Sequence, residues 1–143
     1  MRVALGSDEK TALTDAVAAD LGARGHEVLL VGPPAGTGEQ WAEVGRRVGE
    51  LVAAGTAATA VLFCWTGTGA SIAANKVPGV RAALCTDAVT AEGARKWNDA
   101  NVLVMGLRLT SPDVAREMLD VWFATEPDPG EAANIARLEG PAG

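Results

Sequence analysis

Short apolar runs alternate with amphipathic segments along this whole chain, and no other feature limits its fold so sharply. Arg2–Gly6, Glu27–Val31, Ala58–Cys64, Ala82–Cys85 and Val102–Met105 are brief and nearly continuous in apolar character, as strands buried on both faces require. Between them, Leu13, Val17 and Leu21 recur every four residues. Trp41, Val44, Val48, Leu51 and Val52 form a second stripe, and Val114, Met118, Val121 and Trp122 a third. Each spacing puts its set on one face of a helix. Thr37-x-x-Gln40 reads as a capping box, and Ser111-Pro112 as an N-cap with a first-turn proline. Together these signals predict βαβ units, hence an α/β fold with a parallel sheet and helices on both of its faces.

A length of 143 residues sets one domain. Glu126-Pro127-Asp128-Pro129-Gly130 breaks the pattern, and Glu131–Leu138 then reads as a short terminal helix. The segment 126–143 is therefore expected to be a tail that docks on a partner subunit. Seventeen glycines, no tyrosine and only 4% aromatic residues suit close packing of helix on sheet better than a β-sandwich. A formal net charge of -6 leaves no basic stripe for nucleic acid. One phosphate can still be held by a local arginine and a helix N-terminus. Two cysteines and one histidine supply neither a disulfide framework nor an all-protein zinc site. The longest apolar stretch, Ala60–Trp65, falls far short of the ~20 residues of a membrane span. Asp8 and Glu9 interrupt any leader-like run at the start. A soluble, cytoplasmic protein with no membrane or nucleic-acid partner is expected.

In open parallel sheets, ligands bind beyond the carboxyl ends of the strands. The most informative such end is Cys64-Trp65-Thr66-Gly67-Thr68-Gly69-Ala70-Ser71. Gly67 and Gly69 ahead of a small-residue helix start let backbone N–H groups converge on an anion. The segment is not a Walker loop, because the Gly-Lys-Ser/Thr ending is absent. A cysteine at its head can serve as nucleophile or general base; taken alone, a buried strand-end thiol is the better fit. Asp8 reads either as the N-cap of the first helix or as a site acid. Cys85 reads as a buried strand thiol, His26 as a surface turn residue and Trp122 as core. Asp99 and Asn101 suit turn positions before the last strand. Trp65 and Trp97 are expected in loops at strand carboxyl ends, whereas Trp41 heads a stripe and fits core or site.

Phe63 through Lys76, then Gly79-Val80-Arg81-Ala82, then Asn98-Asp99-Ala100-Asn101-Val102-Leu103 resemble the ribose-5-phosphate isomerase type B family. That family includes galactose-6-phosphate and allose-6-phosphate isomerases. The similarity runs from Arg2 to about Ala124 and is most specific over Cys64–Lys76. The resemblance implies a Rossmann-like three-layer αβα sandwich with a five-stranded parallel sheet. It also implies a homodimer, in some members a tetramer, with sites between subunits, and aldose–ketose isomerisation of a sugar or sugar phosphate without metal or other cofactor. By position, Cys64 matches the family's general base acting through a cis-enediolate. Thr66 matches a hydroxyl that handles the sugar ring, and the amides of Gly67, Thr68, Gly69, Ala70 and Ser71 match an oxyanion hole. Asp8 matches an acid that binds sugar hydroxyls, Asn98 a substrate-contacting amide, and Arg108 and Arg137 two phosphate ligands, the latter reaching across the dimer.

Departures from the family pattern cluster at the site. The family's Asp-His after the first strand is Asp8-Glu9 here, and its Gly after the cysteine is Trp65. Its Asp-Tyr-Pro opening the second helix is Gln40-Trp41-Ala42. Its ring-opening His is Trp97, and its terminal Arg-His-x-x-Arg aligns with Ala133-Asn134-Ile135-Ala136-Arg137. Two readings follow. One is an isomerase with specificity altered away from ribose 5-phosphate, its pocket lined by Trp41, Trp65 and Trp97. The other is a sugar- or nucleotide-binding relative that has lost turnover. A different cysteine enzyme is a weaker third reading, since His26 sits in a distant turn.

Overall fold

The computed structural model describes Met1–Gly140. Strands β1 (Arg2–Ser7), β2 (Glu27–Val31), β3 (Thr59–Cys64), β4 (Ala82–Leu84) and β5 (Val102–Gly106) form one sheet. Its order is β2-β1-β3-β5-β4, and every neighbouring pair is parallel. The helices are α1 (Ala12–Ala23), α2 (Trp41–Ala53), α3 (Thr68–Asn75), α4 (Ala88–Asn98), α5 (Pro112–Ala124) and α6 (Ala132–Leu138). Among the described residues, no helix is long and apolar enough to cross a membrane.

Side chains alternate across a strand, so the sheet carries two cores. Val3, Leu5, Val61, Phe63, Leu103 and Met105 face α1, α4 and α5. Ala4, Ala60, Leu62, Val102 and Val104 face α2 and α3. β3 and β5 are buried throughout, as expected of central strands, while the edge strands β2 and β4 are partly exposed. Trp122 is core: its indole N–H donates to Thr59 Oγ1 at 3.0 Å, and that hydroxyl donates to the Asn101 carbonyl at 2.9 Å. The buried Trp122 and Thr59 groups are thereby satisfied. Glycine sets the spacing of α2 and α3. A Cβ at Gly45 would lie 2.8 Å from the Ala73 methyl and 2.9 Å from the Ala70 carbonyl oxygen.

Ser111 caps α5 by accepting the Val114 amide at 3.2 Å, with Pro112 in the first turn. Several local expectations need correction. Thr37 does not cap α2; its hydroxyl donates to the Glu39 carboxylate instead, and Gln40 precedes the helix without a side-chain cap bond. A 3-10 turn at Pro33–Ala35, flanked by Gly32 and Gly36 at positive φ, comes first, and the helix begins only at Trp41. Asp8 is not an N-cap either, because Thr11 and Thr14 form a reciprocal capping box on α1 at 3.2 and 2.9 Å. His26 lies at a surface turn, partly covered by Phe123, on which it stacks with ring centroids 4.5 Å apart. The terminal helix begins at Ala132, after a 3-10 turn at Pro129–Glu131, and α6 packs on α4 of its own chain. The last three residues of the expected tail, 141–143, lie outside the described residues.

Candidate active site

β1 and β3 are adjacent, and the chain leaves them toward opposite sides, α1 on one face and α3 on the other. A crevice opens beyond the carboxyl ends at such a switch point. Asp8 follows β1, Cys64 ends β3, and a cavity of about 250 Å³ separates α2 from the turn after Cys64. Its walls are Asp8, Trp41, Cys64, Trp65, Thr66, Thr68 and Gly69.

The turn is held from β5. The Leu107 amide donates to the Cys64 carbonyl and the Arg108 amide to the Trp65 carbonyl, both at 3.0 Å. Arg108 is thus tethered at the lip, with its side chain exposed. Gly106, which sequence reading passed over, makes this possible. A Cβ there would sit 2.8 Å from the Thr66 carbonyl oxygen, and the only sequence sign is a glycine closing an apolar run. Cys64 is 5% exposed at the cavity floor. Thr66 and Thr68 share a hydroxyl–hydroxyl bond of 2.7 Å.

Gly67 adopts φ 79° and turns the chain into α3. The first amides of a helix have no intrahelical acceptor. Those of Thr68, Gly69 and Ala70 have none among the described residues, which leaves three free donors at the start of α3, of which Thr68 and Gly69 line the cavity with Cys64. The Ser71 amide is already committed to the Gly67 carbonyl at 3.1 Å, which removes it from the expected set of donors. The Trp41 indole lies flat against Gly69, where a Cβ would approach its ring carbons to 2.7 Å. Trp65 is more than half exposed at the rim.

Asp8 Oδ1 is enclosed and has no hydrogen-bond partner among the described residues. Burial, and then the Glu9 carboxylate, push the Asp8 carboxyl above the ordinary aspartate range. Glu9 itself is exposed, its backbone pinned by Ser7 Oγ on both N–H (3.1 Å) and C=O (2.6 Å). Cys85 is set apart: burial raises its thiol to about 11, which disfavours the thiolate at neutral pH. Among the described residues, no three His, Cys, Asp or Glu side chains converge as a metal site.

Three expected site residues are elsewhere. Trp97 and Asn98 form the last turn of α4, not a loop at a carboxyl end. α4 runs back against the strands and delivers both residues to the amino end of β5. Val102 pairs with Ala60, four residues before Cys64, or about 13 Å along the strand. Trp97 folds over Gly93 one turn back, and Asn98 lines a separate concavity of about 420 Å³ with Asn75, Arg81 and Leu138. Arg137 is exposed on α6. The single histidine, His26, precedes β2 and therefore also lies at the amino edge.

A family model described as Ribose/Galactose Isomerase matches residues 3–139. The chain belongs to this family. Ribose-5-phosphate isomerase B of Escherichia coli is 33% identical over 130 residues, 90% of this chain and 87% of that protein. A D-erythrulose-4-phosphate isomerase of Pectobacterium atrosepticum is 36% identical over 100 residues, 70% of this chain and 66% of that protein. Against the relatives it matches, the chain spans from under half (45%) to most (87%) of their own length, and 53% of a Bacillus subtilis relative. The solved structure of Clostridium thermocellum ribose-5-phosphate isomerase B superposes with a TM-score of 0.91 at 35% identity, covering 97% of this chain and 95% of that one. The parallel five-stranded αβα sandwich is thus the family's fold.

Proposed function

We propose that this chain is a cytoplasmic aldose–ketose isomerase of a short, phosphorylated sugar, with Cys64 as general base and no metal in the reaction. The observation that carries the reading is Cys64 at the carboxyl end of β3, beside three α3 amides without a partner among the described residues, in a cavity walled by Asp8. In its thiolate form Cys64 removes the proton from the carbon next to the carbonyl. The amides of Thr68, Gly69 and Ala70 hold the enediolate oxygen with dipoles already in place. Thr66 and Thr68 offer hydroxyls to the sugar, Trp41 and Trp65 pack against its C–H face, and Arg108 anchors the phosphate.

Two facts favour a four-carbon substrate. The ring-opening histidine of the family pattern is Trp97, and the one histidine present is at the far edge of the sheet. A tetrose 4-phosphate cannot close a furanose, because its O4 carries the phosphate, so no ring has to be opened. The Pectobacterium relative named for D-erythrulose 4-phosphate is consistent with that choice. In a panel of erythrulose 4-phosphate, ribose 5-phosphate, allose 6-phosphate and unphosphorylated sugars, the four-carbon phosphate should turn over fastest. Trp97→His should raise turnover of ribose 5-phosphate. Ribose 5-phosphate leading in the wild type, with no gain from Trp97→His, sinks the altered specificity. Binding without any turnover favours the second reading, a ligand-binding relative, which the missing histidines motivate.

The separation of Asn98 from Cys64 within one chain supports a dimer in which each site takes Trp97, Asn98 and Arg137 from the partner. A closed two-fold interface makes such sharing reciprocal. Cys64→Ala and Asn98→Ala should each be nearly inactive alone. After mixing and subunit exchange, roughly half of the dimers hold one intact site, restoring about a quarter of wild-type activity. No recovery in a mixture shown by sedimentation to contain hybrids counts against the shared site.

A further inference from the structure

Isomerisation moves two hydrogens, one between carbons and one between oxygens, and Cys64 accounts only for the first. Asp8 is the other titratable side chain lining the cavity. The Thr66 and Thr68 hydroxyls can bind the sugar but are not acid–base groups near neutral pH, and the Gly69 amide can only donate. Glu9 is exposed, and His26 is at the opposite edge. Asp8 is also not the cap of α1. Thr11 and Thr14 cap α1, and Ser7 pins the turn after β1. Yet its Oδ1 is shut away from solvent without a partner among the described residues, which a folded protein seldom tolerates unless something else completes the bond. We propose that Asp8 is a catalytic residue that carries the hydroxyl proton between the two substrate oxygens. This rests on the isomerase reading above and names a group that reading left unassigned.

The step balances as follows. The Cys64 thiolate takes the C1 proton of the ketose, and the C–H electron pair becomes the C1=C2 bond. The carbonyl pair moves to O2, which takes the proton of the Asp8 carboxyl. The Asp8 carboxylate then removes the O1 proton, and the O1 pair forms the aldehyde. The C1=C2 pair takes the proton back from the Cys64 thiol at C2. Both side chains end as they began. The raised proton affinity of Asp8, from burial and from Glu9, suits a group that must start protonated.

The test is Asp8→Asn, with Asp8→Glu beside it, assayed on erythrulose 4-phosphate in D2O by NMR. Conversion to the aldose and deuterium entry at C1 of the recovered ketose are followed together. Without the oxygen proton carrier, Cys64 can still exchange the C1 hydrogen, because the amide-held enediolate collapses back to ketose. Asp8→Asn should therefore lower isomerisation about 100-fold or more while exchange falls much less, so their ratio rises at least about 10-fold. Asp8→Glu should restore part of the isomerisation, and unchanged melting would show that the fold survives. Normal isomerisation in Asp8→Asn, or equal loss of isomerisation and exchange, overturns the assignment while leaving the isomerase reading intact. A wild type with neither exchange nor turnover overturns both.

Discussion

Cys64→Ala should lower turnover of the true substrate by about three orders of magnitude, and should abolish solvent exchange at the substrate carbon. The size follows from the contribution of a positioned general base, about 10²–10⁴-fold, with no second thiol in reach. Cys85 is behind the sheet edge, 2% exposed, and its thiol is raised to about 11. The substitution removes one sulfur from the floor of an open cavity, so the stability cost should stay near or below ~1.5 kcal/mol. Cys85→Ala is the matched control, and should leave turnover unchanged although its sulfur is the more deeply buried. Steady-state rates and deuterium wash-in for the two variants decide the matter. If Cys64→Ala keeps near-normal turnover, the assigned mechanism is wrong.

Much of this architecture was legible because strand burial and helix stripes are local patterns. β2 runs over Glu27–Val31 as read from the sequence, and β1, β3, β4 and β5 differ from their apolar runs by a residue at an end. What the sequence hid is where an element's end points. Asn98 sits four residues before β5, which suggested the cavity edge, but α4 returns antiparallel to the strands and leaves Asn98 at the amino end. The Thr37 signature failed because the Thr37 hydroxyl is taken by the Glu39 carboxylate and the helix starts only at Trp41. Ser71 has the right spacing for an anion-binding amide, yet it already lies past the first turn and is bonded inside it. Asp8 illustrates the converse. Whether it capped α1 or faced the cavity could not be separated by spacing, and only the Thr11–Thr14 box, itself unremarked in the sequence, frees it for chemistry.

Gly67→Ala should be the most damaging single-methyl substitution in the loop. At φ 79° an L side chain is strained, and the added Cβ would lie 2.5 Å from Leu84 Cδ1, 3.1 Å from the Met105 carbonyl carbon and 3.2 Å from the Gly106 nitrogen. Leu84 is at an exposed edge and can move. The two β5 backbone atoms cannot, because β5 is central and buried. Left-handed strain of about 1 kcal/mol and overpacking of about 1–3 kcal/mol together give about 2–4 kcal/mol. For a domain of this size that is a fall in Tm of roughly 5–15 °C. Relief can come only by shifting the Thr66–Thr68 turn, which carries the α3 amides with it. A displacement near 1 Å at a reacting centre costs on the order of 100-fold in rate. Turnover measured well below the melting transition should therefore fall about 100-fold in protein that is still folded. Gly36→Ala separates the two causes, since Gly36 has φ 86° but nothing within 4 Å of an added Cβ. It should lose only the strain contribution and keep full activity. Should Gly67→Ala behave like Gly36→Ala in both melting and turnover, the turn is not what places the amides beside Cys64.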